Sequence, residues 1–200
     1  NGAADFVHAT TVEGWGSEFN RYLLNAMKPA DRDSMIRNVL GWYGQTGQGT
    51  FKSDSLQDEV NPFKNTLEGR TDNLVNLPGP TGVPALSSLV GGIAQNVFAF
   101  ASEKDRAQEC GCLSGETQEQ ARFEFPKEVT VLAVPKPQSL QQAGFDYQAT
   151  YAKEGNTVLI TRHFKFAHAN TVCSSEDFKA MKPVIESMVN DLKSQIIVQT

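Results

Sequence analysis

The chain has 200 residues, 40% of them hydrophobic and 20% charged, with a formal net charge of -5. That length suits one domain or two small lobes, and the acidic balance argues against a nucleic-acid partner, whose phosphates attract basic patches. No apolar run approaches the ~20 residues that a membrane-spanning helix requires, so no transmembrane segment is expected.

The chain opens Asn1-Gly2-Ala3, without an initiator Met or a charged-then-apolar leader. The expectation is a processed protein or a fragment of a longer one. Asp5 to Glu13 reads as a strand, with Phe6, His8, Thr10 and Val12 on one face. Gly14 and Gly16 break it, and Gly16 or Ser17 can cap a short helix whose apolar positions are Phe19, Tyr22, Leu23, Ala26 and Met27. Pro29 fits the first turn of a second helix, and Asp31 and Asp33 suit its positive end. Met35, Ile36, Val39, Leu40 and Tyr43 form the stripe to be buried. The pair predicts a helical hairpin near the N-terminus.

Four glycines between Gly41 and Gly49 read as a loop. They do not make a phosphate loop, which needs a preceding strand and a following Lys–Ser/Thr helix start. Thr50 to Leu56 and Thr66 to Val75 are expected strands, the second interrupted by Gly69. Residues 76–84 carry Pro78, Pro80 and Pro84 and predict an irregular connection. The expected organisation is an α+β lobe over 1–76, a connecting segment over 77–100, and a sheet-plus-helix lobe over 101–200, with one continuous domain as the alternative. Leu86, Leu89, Val90, Ile93 and Val97 follow helical spacing, weakened by Gly91 and Gly92. Ser102 to Arg106 is a charged, solvated segment, and Cys110 to Gly115 a loop.

Arg122 to Phe125 and Val129 to Val134 are β-rich runs separated by Pro126. In the second, apolar residues on both faces predict a covered strand on which the downstream elements pair or pack. Phe145 to Tyr151 and Thr157 to His168 form an antiparallel hairpin, turned by Lys153-Glu154-Gly155-Asn156. Phe145, Tyr147, Ala149 and Tyr151 share one face; Val158, Ile160, Phe164 and Phe166 share another, with Arg162 between them. Ser174, followed three residues later by Asp177, caps a helix whose stripe is Phe178, Met181, Ile185, Met188, Leu192 and Ile196. Pro183 lies off that stripe and removes one internal hydrogen bond. These elements predict an α+β fold: an antiparallel sheet, an N-terminal helical hairpin, and a C-terminal amphipathic helix packed on the sheet.

No part of the chain presents a complete catalytic or cofactor site, so no cofactor and no metal site is expected. Cys110, Cys112 and Cys173 do not fit a zinc pattern, because the Cys-x-Cys pair lacks a second ligand pair at suitable spacing. Two readings of them stay open: three inert thiols, or one disulfide formed in an oxidising compartment with one cysteine left over. Cys173 precedes a helix N-terminus, where a thiolate is favoured, with His163 and His168 near in sequence as bases. That is the cysteine-hydrolase reading. The two histidines differ by five positions, so they point to opposite faces of a regular strand. A metal site of His8, His163 and His168 has no paired-ligand spacing behind it. Glu13, Glu18, Glu68 and Glu124 are scattered. Trp15, Trp42 and Tyr43, as exposed aromatics, would make a binding surface; buried, they are core.

Glu103-Lys104-Asp105-Arg106, Cys112-Leu113-Ser114-Gly115 and the run from Phe125 to Pro135 together resemble the C-terminal region of bacterial transglutaminase-like proteins. The similarity continues through Tyr151 to Val158, Val172-Cys173-Ser174-Ser175 and Asp191-Leu192-Lys193. It covers most of residues 100–200. Those proteins carry an N-terminal domain of unknown function, a papain-like transglutaminase core and a β-rich tail. In their core the nucleophilic Cys precedes its His and Asp; here Cys173 follows every histidine. The resemblance therefore implies a non-catalytic accessory region of an exported, periplasmic or cell-envelope protein, its partner being a transglutaminase-like core upstream in the same polypeptide. An envelope protein, peptide or glycan is the further partner class, and an independent glycan- or peptide-binding module the alternative function. The resemblance also implies a disulfide between Cys112 and Cys173, with Cys110 as the competing partner. A Cys110–Cys112 bridge would be strained.

Overall fold

The computed structural model describes residues 2–102 and 106–200, with no description of the Asp33 side chain. Glu103, Lys104 and Asp105 of the expected charged segment, and the Asp33 carboxylate expected near a helix start, lie outside the described residues. The fold is α+β, with antiparallel sheets and a C-terminal helix packed on them. The chain divides into two compact units, 1–77 and 78–200.

In the first unit, β1 (Ala4–Val12), β3 (Phe63–Thr71) and β2 (Gly47–Ser53) form an antiparallel sheet in the order β1-β3-β2. Between β1 and β2 run α1 (Trp15–Ala26) and α2 (Pro29–Trp42), with Pro29 opening α2. Ile36 and Leu40 of α2 pack with Leu67 of β3 in a small core that Phe6, Met35 and Phe51 extend. Gly69 does not interrupt β3. It pairs with Gly49 on one side and Phe6 on the other, and a Cβ placed on Gly69 would stand 3.1 Å from the Phe6 ring. The ring covers the bare backbone, which compensates for the missing side chain.

α1 is turned the other way from its sequence pattern. It begins at Trp15 with Gly14 as N-cap, so Ser17 lies inside the helix rather than capping it. Its buried residues are Ser17, Arg21 and Leu24, whereas Phe19, Tyr22 and Leu23 are exposed. The reason is a polar anchor. Arg21 donates to Ser17 Oγ (2.7 Å), Glu18 Oε1 (2.9 Å) and the Asn61 carbonyl (2.7 Å), and its guanidinium lies 5.3 Å from the Phe63 ring centroid. Ser17 Oγ also accepts from the Phe63 backbone N–H. A desolvated guanidinium with several acceptors and an aromatic face outcompetes the burial of a few apolar side chains.

In the second unit the main sheet has the order β6-β10-β9-β8, from Gly115–Glu124, Thr157–Phe166, Phe145–Glu154 and Gln138–Gln142. Its middle is the β9–β10 hairpin, closed by Gly155-Asn156 with Gly155 at φ 60°. Val129 to Val134, expected to organise the downstream chain, yields only β7 (Thr130–Ala133). It sits at the edge of a second sheet, β4-β12-β7, with β4 at Thr81–Pro84 and β12 at Gln195–Gln199. Pro126 and Pro135 keep the run short, and Leu132 is half exposed, so the strand is covered on one face only. β4 also gives the proline-rich connection an ordered strand.

The remaining elements are α3 (Gly92–Ala101), the short pair β5 (Cys110–Gly111) and β11 (Val172–Cys173), and α4 (Ser175–Leu192). α3 starts later than the helical spacing from Leu86 implied. Gly91 and Gly92, at φ 71° and 70°, form its entrance, and Glu119 accepts from the Ile93 N–H and Ser88 Oγ there. α4 has the full capping box: Ser174 Oγ accepts from Asp177 N, and Asp177 Oδ2 accepts from Ser174 N. It ends at Leu192 rather than continuing through Ile196. The run Ile196-Ile197-Val198 is β-branched and serves β12 instead.

Candidate functional site

Among the described residues of the second unit, chemistry-bearing side chains gather in a buried cluster and at the start of α4. The buried one was not legible as a cluster in the sequence. Arg162 on β10 points into the core from the face it shares with Ile160 and Phe164, and its side chain is fully buried. It donates to Ser87 Oγ (2.8 Å) and Tyr151 Oη (2.8 Å) and faces Asp191 Oδ2 at 3.4 Å. Asp191, in the last turn of α4, accepts from the hydroxyls of both Tyr147 and Tyr151. Burial, and then the hydrogen bond to Asp191, push the Tyr151 phenol up to about 12 and raise that of Tyr147 further. Every polar head in this quartet has a partner, as buried charge demands. The cluster holds α4 to the β9–β10 face, and Arg162 and Asp191 are spent on each other.

The second place is the corner where β5 and β11 meet α4. Cys112 and Cys173 are joined as a disulfide, and both are buried. Cys110 is a free, half-buried thiol whose Cα stands opposite that of Cys173 in the β5–β11 ladder. Among the described residues, His168, Cys173 and Asp177 bring their ligand-type atoms within 4.8 Å of one another. His168 is not on a strand: β10 ends at Phe166, and the histidine stands in the connection to β11. Its Nε2 lies 3.7 Å from Asp177 Oδ1. Hydrogen bonds from the Ser174 N–H and hydroxyl, with His168 nearby, hold the Asp177 carboxyl below the usual carboxylate range.

A sulfur, an imidazole and a carboxylate within 4.8 Å of one another have the composition of a cysteine nucleophile with its base and orienter. The sulfur, however, is bonded to Cys112 and is no nucleophile in this form. His163 does not join the corner; it bonds Glu116 at 2.8 Å on the outer face of the sheet. Glu18 and Glu124, among the scattered carboxylates, are taken up by Arg21 and Arg122.

Trp15, Trp42 and Tyr43 are exposed, the two tryptophans at 70% and 71%. Tyr43 was expected in the buried stripe of α2, but it falls at the C-cap, past the point where the helix faces the sheet. On α1 the Trp15 and Phe19 rings stack at 5.1 Å, and Tyr22 continues the stripe outward. The signal for the quartet was present in the sequence as one charged residue within an apolar strand face. Its partner, Asp191, could not be paired with it from spacing alone.

Residues 94–198 match the model of a family described as a "domain of unknown function with solved-structure structure", DUF3858. No curated protein and no solved structure matches the chain.

Proposed function

We propose that this chain, which belongs to the DUF3858 family, is the non-catalytic C-terminal region of an exported transglutaminase-like protein. It acts by positioning and recognition, and bond-making is left to a core upstream in the same polypeptide. The observation that carries this reading is the state of Cys173: buried, and bonded to Cys112 beside His168 and Asp177. The chain order His168, Cys173, Asp177 also differs from the Cys, His, Asp order of a transglutaminase-like core. A disulfide across 61 residues supports an oxidising, exported setting such as the periplasm or cell envelope.

The test is turnover. The chain alone should release no product from glutamine-containing peptides or peptidyl amides, while the longer natural polypeptide should act on them. Activity in the chain alone that disappears in Cys173→Ser would overturn the reading and favour a cysteine hydrolase.

A second reading, an independent envelope module that binds glycan or peptide, is favoured by the exposed aromatics Trp15, Trp42 and Tyr43. Flat aromatic faces in water stack on sugar rings or proline-rich peptides at little entropic cost. Quenching of tryptophan fluorescence by envelope oligosaccharides, lost in Trp15→Ala or Trp42→Ala, would support it.

A further inference from the structure

The corner at the start of α4 holds more donor chemistry than a disulfide needs. His168, Cys173 and Asp177 converge within 4.8 Å, and Cys112 adds a second sulfur bonded to the first. The imidazole is aimed. His168 Nδ1 sits against the Asn170 backbone, 2.9 Å from its carbonyl oxygen and 3.3 Å from its N, while Nε2 faces Asp177 Oδ1. In the tautomer that donates from Nδ1 to the nearer carbonyl, the lone pair on Nε2 is open to a metal. One ring nitrogen tied to a backbone carbonyl and the other turned to a donor cluster is how metal-bound histidines are held. Asp177 is fixed as well, since its Oδ2 takes the Ser174 hydrogen bonds and leaves Oδ1 toward the cluster.

We propose that, once the Cys112–Cys173 disulfide is reduced, Cys112, Cys173, His168 and Asp177 form a four-coordinate site for Zn(II). A dithiol reductant supplies the two electrons. Its first thiolate attacks one sulfur of the bridge, its second closes the reductant's own disulfide, and both cysteines are left as thiols. Zn(II) then displaces one proton from each thiol to solvent and is held by two thiolates, Nε2 and Oδ1. Tetrahedral zinc needs its two sulfurs about 3.8 Å apart, given Zn–S bonds near 2.3 Å, so the opened bridge has only a short distance to relax. Disulfide and zinc are then alternative staples across the same 61-residue separation. Cys110, opposite Cys173 in the ladder, is the competing ligand. The inference concerns the reduced form of this corner, whereas the accessory reading rests on its oxidised form, Cys173 bonded to Cys112.

The test uses the whole chain, reduced without oxygen by a water-soluble phosphine, which becomes phosphine oxide with water as the oxygen source. Titration with Co(II) should give one ion per chain with tetrahedral d–d absorption and thiolate-to-cobalt charge transfer, both removed by Zn(II). The oxidised chain should show neither band. Cys110→Ser should keep the full signal, whereas His168→Gln and Asp177→Asn should each weaken Zn(II) binding by at least about tenfold with circular dichroism unchanged. If the reduced chain loses structure, Zn(II) should restore it, since site formation and folding are then one equilibrium. No tetrahedral spectrum in the reduced chain, full affinity in both His168→Gln and Asp177→Asn, loss of the site in Cys110→Ser, or failure of Zn(II) to restore a lost fold would each overturn the proposal.

Discussion

Arg162 and Asp191 meet where water does not reach: Nε of one lies 3.4 Å from Oδ2 of the other, and their side chains are 0% and 2% exposed. They join a central strand of the main sheet to the last turn of the C-terminal helix. Removing one partner leaves the other buried and unpaired. Arg162→Met or Asp191→Leu alone should therefore lower stability by about 3–5 kcal/mol in urea unfolding. The double variant should recover only part of that loss: no charge is left buried, but the Tyr147 and Tyr151 hydroxyls lose their bonds to Asp191 and Arg162. Additive losses would mean that the two charges act independently.

The phenols above that pair predict an alkaline transition. Burial raises both, Tyr151 to about 12 and Tyr147 beyond it. An unfolded tyrosine ionises near pH 10, so the folded state's preference for neutral phenols is fully felt below that pH. It fades as pH rises from 10 through 12. Urea midpoints should hold steady to pH ~9.5 and then fall, and the fall should be shallower in Tyr147→Phe. An equal pH slope in both proteins would contradict the assignment.

The bridge between Cys112 and Cys173 closes a sequence separation of 61 residues. In the chain-entropy account that is worth about 4 kcal/mol. Cys112→Ala combined with Cys173→Ala should lower the melting temperature of the second unit by a corresponding amount, while Cys110→Ala should leave it nearly unchanged. A large loss in Cys110→Ala would show that this thiol takes part in the native bridge.

Ala143 is the one non-glycine among the described residues with positive φ, at 51°, beside Gly144 at 85°. The two form the turn between β8 and β9, where Gln142 pairs with Phe145. A methyl side chain is disfavoured there, whereas Gly has no β-carbon and Asn offsets its own by local hydrogen bonding, so Ala143→Gly or Ala143→Asn should raise stability by about 1 kcal/mol. Thermal unfolding of the three proteins in parallel measures it.

What the sequence revealed and what it hid divide along one line. Alternation in Phe145–Tyr151 and the Ser174–Asp177 cap were readable because the strand face and the capping box are local patterns. β12 was hidden because Ile196 continues the helical spacing of Leu192, and only its pairing with β4 and β7 decides for a strand. The outward face of α1 was hidden for a similar reason: its burial is settled by Arg21 reaching Asn61 and Phe63, 40 and more residues away. At the α4 corner, Cys173 and Asp177 were visible as neighbours. The place of His168 depended on β10 ending two residues before it.

The claim on which the functional account rests is that the Cys173 sulfur is not available as a nucleophile. Alkylation of the non-reduced chain, followed by digestion and mass mapping, tests it directly. The account predicts a label on Cys110 alone, with the peptides of Cys112 and Cys173 recovered as one linked species. Alkylated Cys173, labelled faster than Cys110, would contradict it.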